Sequence, residues 1–499
     1  MNLKMNPHPL VQFLQKPTSE FTKADLLRYV EEEEIEMINF RYVAGDGRLK
    51  TLNFVVNDLE YVNTILSCGE RVDGSSLFKN LDAGASDLYV IPRYNTAYMN
   101  PFAEIPTLDL LCSYYDKDGN PFESDPAYIM RRAGEVLTQK TGYEFHCMGE
   151  LEYYVIGEED PLFVAEDQKG YHESSPYTKF ESFRKEAMLA MATCGCLLKY
   201  GHSEVGNFTM DGKIYEQNEI EFLPTRLEEA ADQLIIAKWI LRTMAYQYNL
   251  NVTFSPKITV GKAGSGMHVH TRIMKDGKNQ MLDAKGQLTD TAKKAIAGYL
   301  DLAPSLTAFG NTNPMAYFRL VPHQEAPTNI CWGDRNRSAL VRVPLGWETD
   351  KNMAVDANPI EKKAVAEYGN KQTAEFRCPD GSANIYLLIA GLAVAARHGF
   401  EMKDSLQYAK DRYVDVNIFA EENKDKAVKY KQLPVCCAES ADRLEEQRKI
   451  YEEYGVFSKS MIDGIIKMLQ AYNDKHLRTE VENKPVEMLK LVERYMHCG

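Results

Sequence analysis

Glu150 and Glu152 stand one residue apart in the segment Gly-Glu-Leu-Glu-Tyr-Tyr-Val-Ile. In an extended strand alternate residues project from one face, so the two carboxylates would lie side by side, ~6–7 Å apart. Held together on a strand rich in Leu, Tyr, Val and Ile, they repel each other unless a cation intervenes. His268 and His270 repeat the spacing in Met267-His268-Val269-His270, just after Gly264-Ser265-Gly266. Glycine at such a place lets the backbone approach a ligand closely. A third segment, Gln217–Phe222, carries Glu219 and Glu221 and follows His202-Ser203-Glu204; a fourth, Ala374–Arg377, puts Glu375 and Arg377 on one face. A single segment of this kind is explained by a strand with one solvated face. Four in one chain are not. Carboxylates with one or two imidazoles suit Mg²⁺ or Mn²⁺ rather than structural zinc. Two such cations are suited to clamping a transferring phosphoryl group.

The stretch Asn313–Pro344 concentrates Arg319, Arg335, Arg337 and Arg342 among Pro, Tyr and Trp. Guanidinium is the preferred bidentate partner of carboxylate and phosphate, so this block reads as an anion site; the plainer alternative is a run of surface ion pairs. Glu325 sits between Pro322 and Pro327. A loop so bounded reads as a lid whose acid enters the site on closure.

The elements that must position these groups follow from the rest of the chain. Its 499 residues suffice for two or three domains. The formal charge of −14, from 72 acidic against 58 basic residues, argues against nucleic acid as the main partner. No apolar run reaches the ~18 residues of a membrane span, and the longest, Tyr386 to Ala396, reads as a core helix. The N-terminus has early prolines and no apolar signal region, and ten scattered cysteines form no CxxC pair, so a cytoplasmic setting with reduced thiols is expected. Residues 1–22 read as an extended arm. Residues 23–120 form a small α+β unit with a Gly45-Asp46-Gly47 hairpin turn. A helix starts at Asp125-Pro126, with Ile129, Ala133, Val136 and Leu137 at helical spacing. Helices then alternate with the charged strands to about residue 400, and residues 401–499 are mostly helical, including Lys459–Leu477 and Val486–His497.

Taken together, VDGSS at 72–76, GELEYYVI at 149–156, SEVG and QNEIEF within 203–222, GSGMHVH at 264–270, RLVPHQEAP at 319–327, NRSALVRVP at 336–344 and EFRCPDGSAN at 375–384 resemble the glutamine synthetase family, in its bacterial-type branch. The resemblance implies an α+β chain: a small β-grasp N-terminal domain (23–120) followed by a large catalytic α/β domain (121–400), with antiparallel strands in a partial barrel flanked by helices. It implies ATP-dependent ligation of ammonia to glutamate through a γ-glutamyl phosphate. The implied partners are glutamate, ammonium and ATP, with no nucleic acid and no membrane. The implied assembly is a homo-oligomer of stacked rings, a dodecamer, with shared active sites and contacts from 401–499. By motif position Glu152, Glu204 and Glu219 would hold one Mg²⁺ or Mn²⁺, and Glu150, His268 and Glu375 another. His270, Arg337 and Arg342 would contact ATP, Arg337 also serving catalysis. Gly264, Arg319 and Arg377 would bind glutamate. Asp73, contributed by a neighbouring subunit, would bind and deprotonate ammonium with Tyr171 and Glu204 beside it. Glu325 would close over the site.

Four positions depart from the family's pattern. Ala263 stands where many relatives carry asparagine, Thr373 where several carry arginine, and Arg272 where serine is common. Phe419 stands where adenylylated relatives have tyrosine, so no adenylylation is expected there. Two other functions are compatible with parts of this pattern: a ligase joining glutamate to a larger amine, and a catalytically silent relative. Asp73 and Tyr171 favour ammonium over the first, and the full ligand set argues against the second.

Overall fold

The structure, a computed structural model, describes residues 3–78, 86–321, 326–346, 352–362, 371–482 and 484–499. The described part of the expected N-terminal arm, residues 3–22, contains helical turns. Pro9–Leu14 is a short helix with Pro at its first position, and Leu10 and Val11 are buried in the N-terminal core. Two apolar residues that reach a core outweigh the extended bias of the flanking prolines. The helix Lys23–Glu32 starts where Thr22 and Asp25 form a reciprocal capping box. It packs near Leu59–Cys68 against a sheet in which Met37–Val43 lies between Leu49–Val55, antiparallel, and Thr107–Tyr115, parallel. Alternate residues of these strands, Ile38, Phe40, Leu108 and Leu110, fill the core between sheet and helices. This is the β-grasp arrangement.

The helix Pro126–Thr141 is capped by the Asp125 carboxylate and buries Ile129, Ala133, Val136 and Leu137, the residues whose spacing marks it. Beyond it lies a curled sheet whose main path runs 332–334, 341–343, 374–376, 267–275, 144–158, 213–222 and 198–210. Its pairs are antiparallel except the first. Helices Leu227–Gln247, Asp290–Gly310 and Ile385–Glu401 cover its back, the last buried along almost its whole length. The C-terminal region is helical, though the expected helix from Lys459 stops at Gln470 and a separate short helix, Leu477–Val481, follows. No single helix among the described residues is long and apolar enough to cross a membrane.

Arg93, from the β-grasp side, ties the two parts together. Its two terminal nitrogens each donate to the Asp232 carboxylate at 2.9 Å, and the Tyr386 hydroxyl donates to the same group at 2.6 Å. Removing one partner of a buried pair strands the other charge, at a cost of about 3–5 kcal/mol. Arg93→Ala is therefore expected to lower unfolding stability by about that amount in urea titrations, and a loss below about 1 kcal/mol would show the tie to be dispensable.

Candidate active site

Strand register brings the charged segments face to face. Glu150 sits opposite His268 on one neighbour and Glu221 on the other; Glu152 sits opposite Glu219. Glu375 pairs with His270 and with Arg342, and His202 pairs with Glu219. Two groups result. Ligand atoms of Glu150, His270 and Glu375 lie within 4.8 Å of one another, as do those of His202, Glu204 and Glu219. His268 joins the first group: its Nδ1 is 2.9 Å from Glu150 and 3.5 Å from Glu375. Glu152 lies between the groups, its Oε1 3.9 Å from the Nε2 of His268, while its other oxygen accepts from the Gly266 amide at 2.7 Å.

The electrostatics of the groups differ. Burial, together with Glu150, Glu152, Glu204 and Glu221, pushes the Glu219 carboxyl well above the ordinary glutamate range. Burial acts the same way on Glu150, yet His270 and His268 hold its carboxyl well below that range. Burial also opposes ionisation of Glu375, but chiefly Arg377, at 2.9 Å, keeps its carboxyl low. Five buried or half-buried carboxylates crowd around three imidazoles, and their donors are mainly oxygen. This set fits two hard divalent cations, which would relieve the repulsion that Glu219 experiences.

A cavity of about 1500 Å³ opens over both groups. Every one of the six proposed metal ligands lines it, together with His270, Gly264, Tyr171, Arg319, Arg337, Arg342 and Arg377. The arginines differ in how they are held. Arg342 donates to Glu375 at 2.9 Å, and Arg377 donates to the backbone oxygen of Arg337. Arg319 is buried and anchored by the carbonyls of Cys378 (2.9 Å) and Pro379 (3.3 Å) rather than by a carboxylate. Arg337 is exposed, and its guanidinium has no ion pair or hydrogen bond among the described residues. Glycine is required beside Arg319: a Cβ on Gly264 would lie 2.6 Å from the Pro256 carbonyl, and one on Gly266 would lie 2.4 Å from Arg319 Nη2.

Two expected groups lie elsewhere. Asp73 is exposed and does not line the cavity within one chain. Its carboxylate accepts from the Ser75 amide and hydroxyl and from the Ser76 hydroxyl, which hold its pKa down to about 2. Glu325 lies outside the described residues. Of the departures, Thr373 contacts the Nδ1 of His270 at 2.8 Å, Arg272 donates to the Pro224 carbonyl at 3.1 Å, Ala263 is buried, and Phe419 lines the cavity.

Glu221 and His202, named in the sequence but given no role there, also line this wall. Glu221, paired with Lys199 at 2.5 Å, continues the alternation of Glu219. His202 stands two residues before Glu204, the same spacing that marks the other pairs, but as a single imidazole it gave no repeat of its own type.

Comparison with known proteins agrees with this geometry. The family model described as glutamine synthetase, catalytic domain, matches residues 123–489, and the one described as glutamine synthetase, beta-Grasp domain, matches residues 34–117. A glutamine synthetase of Thermus thermophilus is 31% identical over 446 residues, covering 87% of this chain and 92% of that one. One from Mycolicibacterium smegmatis is 29% identical over 482 residues, covering 89% and 94%. Among solved structures, Plasmodium falciparum glutamine synthetase superposes with a TM-score of 0.75 at 18% identity, covering 92% of this chain and 96% of that one. A structure titled a GmaS/ADP complex superposes at 0.74 and 19% identity, covering 92% and 99%. By the match of both domain models, in order and over most of its length, the chain belongs to the glutamine synthetase family.

Proposed function

We propose that the chain is a glutamate–ammonia ligase, forming glutamine, ADP and phosphate from glutamate, ammonia and ATP. The observation that carries this reading is the pair of carboxylate–imidazole groups under one arginine-lined cavity. ATP and divalent-metal use go with the family; the assignment of each side chain is ours.

Glu152, Glu204 and Glu219 would hold one Mg²⁺ or Mn²⁺, and Glu150, His268 and Glu375 a second. When bound, these ions supply positive charge that offsets the nucleotide phosphates and the transferring phosphoryl group. Arg337 and Arg342, with His270, contact the phosphates, and the guanidinium of Arg337, unpaired among the described residues, meets the charge of the moving group. Arg319 and Arg377 take the carboxylates of glutamate, with the Gly264 backbone beside them. The γ-carboxylate oxygen of glutamate attacks the γ-phosphorus of ATP, releasing ADP and giving an acyl phosphate. Ammonia then attacks the acyl carbon and phosphate leaves. Ammonium is not a nucleophile, so a carboxylate must attract it and accept its proton. Asp73 of a neighbouring subunit serves that purpose, with Tyr171 and Glu204 lining the ammonium pocket. Its exposure on a single chain is consistent with completion of the site by a second copy, as in a ring-shaped homo-oligomer, a dodecamer of two stacked hexamers. Glu325 closes over the site, excludes water from the acyl phosphate and takes up a proton. In this reading 23–120 is the β-grasp unit, 121–400 the catalytic core and 401–499 the assembly region, and the enzyme works in the cytoplasm.

The test is incubation with glutamate, ATP, ammonium and Mg²⁺, and separately with putrescine or ethylamine in place of ammonium. Glutamine with equimolar ADP is expected from the first mixture only. ADP released equally with a larger amine would reassign the nucleophile.

Gly266→Ala tests the glutamate subsite. The added methyl lies 2.4 Å from Arg319 Nη2 and 3.1 Å from His268 Nε2, so the guanidinium must move. The expected outcome in steady-state kinetics is a KM for glutamate raised by about tenfold or more, the scale of one charge-assisted contact, with KM for ATP changed far less. An unchanged KM for glutamate would remove Arg319 from that subsite.

A further inference from the structure

We infer that His202 is itself a ligand of the cation held by Glu204 and Glu219, and that its nitrogen tilts that site toward Mn²⁺ over Mg²⁺. The inference rests on the metal reading of the site given above and adds a residue and a selectivity to it.

The neighbours of the His202 ring place its proton. His202 Nδ1 lies 3.0 Å from the backbone oxygen of Ser203. A carbonyl oxygen only accepts, so Nδ1 is the donor, and in a neutral ring Nε2 carries the lone pair. That Nε2 lies 3.1 Å from Oε1 of Glu219, a second acceptor. Two lone pairs at this separation repel unless something positive lies between them or beside both. Glu204 offers an oxygen within the same 4.8 Å group, its Oε1 3.9 Å from Nδ1, so three side chains from two strands lie close enough to share one ion.

The ring is also fixed in place. His172 lies against it, with centroids 4.3 Å apart, Tyr171 meets it edge-on at 5.5 Å, and Tyr200 approaches at 5.8 Å. Its Nδ1 is anchored on a backbone carbonyl. Ligating histidines commonly have this support, because it fixes both tautomer and orientation.

The chemical consequence is selectivity. Mg²⁺ prefers oxygen donors and gives up its water reluctantly, whereas imidazole binds the transition metals better. With His202 added to Glu152, Glu204 and Glu219, the site has three carboxylates and one imidazole, and it favours Mn²⁺ more than the three carboxylates alone would.

Pulsed EPR of the Mn²⁺-loaded protein reads nitrogen at the metal directly, without turnover. In the wild type, both bound ions should show imidazole ¹⁴N coupling. His202→Gln should abolish the coupling at one ion and leave the other, which sits by His268 and His270. The Mn²⁺-over-Mg²⁺ preference of that site, measured by competition calorimetry, should fall by at least about tenfold. His202→Glu puts a carboxylate ligand in place of the imidazole and guards against simple misfolding; it should retain two bound ions, lose the same ¹⁴N coupling and move the preference toward Mg²⁺. A wild-type protein with nitrogen at only one of two ions, or variants with unchanged coupling, would overturn the inference while leaving ligase activity standing. Normal ¹⁴N coupling at both ions without glutamine formation would instead overturn the proposed reaction alone.

Discussion

Glu219→Gln is expected to yield a protein that is more stable than the wild type without metal and inactive in its presence. Glu219 is 6% exposed and has four other carboxylates among the causes that push its own carboxyl upward. In the unfolded chain it titrates near the ordinary glutamate value of about 4.3. A folded-state pKa raised above that value contributes stability that is full below the unfolded pKa and lost as pH rises through the folded one. In the metal-free wild type that loss grows as pH rises above the unfolded value. Glutamine, which never ionises, is free of that loss. The difference in melting temperature between variant and wild type, measured in a chelator, should therefore be large at neutral pH and vanish as pH falls toward about 4. With saturating metal the order reverses, because the variant lacks a ligand. Its glutamine synthesis should fall by about 10³-fold or more, since a bound cation supplies several kcal/mol of charge stabilisation and each 1.36 kcal/mol is a factor of ten. A variant less stable than the wild type in chelator at neutral pH would mean that Glu219 is no strained carboxylate awaiting a cation.

The second large effect is expected at Arg337. Its side chain is exposed at the cavity wall and has no partner among the described residues, so the fold gains nothing from its charge. Arg337→Ala should leave the melting temperature within about a degree, as surface substitutions usually change stability by less than ~0.5 kcal/mol. A guanidinium that meets the charge of a transferring phosphoryl group is worth about 10³–10⁵ in kcat. Arg337→Ala should thus lower kcat by about 10³-fold while KM for ATP moves far less. Arg342→Ala provides the contrast, because Arg342 already neutralises Glu375 at 2.9 Å and its loss should disturb metal binding as well. A raised KM for ATP with unchanged kcat in Arg337→Ala would make Arg337 a binding group only.

The period-two spacing made the metal wall readable because a strand has only two faces. Glu150 with Glu152, and His268 with His270, announced their own geometry, and register then set them opposite Glu221, Glu219 and Glu375. His202 obeyed the same rule relative to Glu204, but the strand Leu198–Met210 shifts register between Ser203 and Asn207, and its alternating text is correspondingly weak. The helix Pro126–Thr141 carried its own start signal in Asp125-Pro126, whereas the Pro9–Leu14 helix depends on a core formed by residues far along the chain. Asp73 shows a different limit. Its motif identifies it, yet Asp73 does not line the cavity of the single chain.

The central claim, that this cavity joins ammonia to glutamate by way of an acyl phosphate, is tested most directly with ¹⁸O in the γ-carboxylate of glutamate. Attack by that carboxylate on ATP carries one of its two oxygens into the released phosphate and leaves the other in the amide of glutamine. One labelled oxygen is expected in each phosphate formed with glutamine. Unlabelled phosphate formed together with glutamine, the lost ¹⁸O appearing in water, would contradict it.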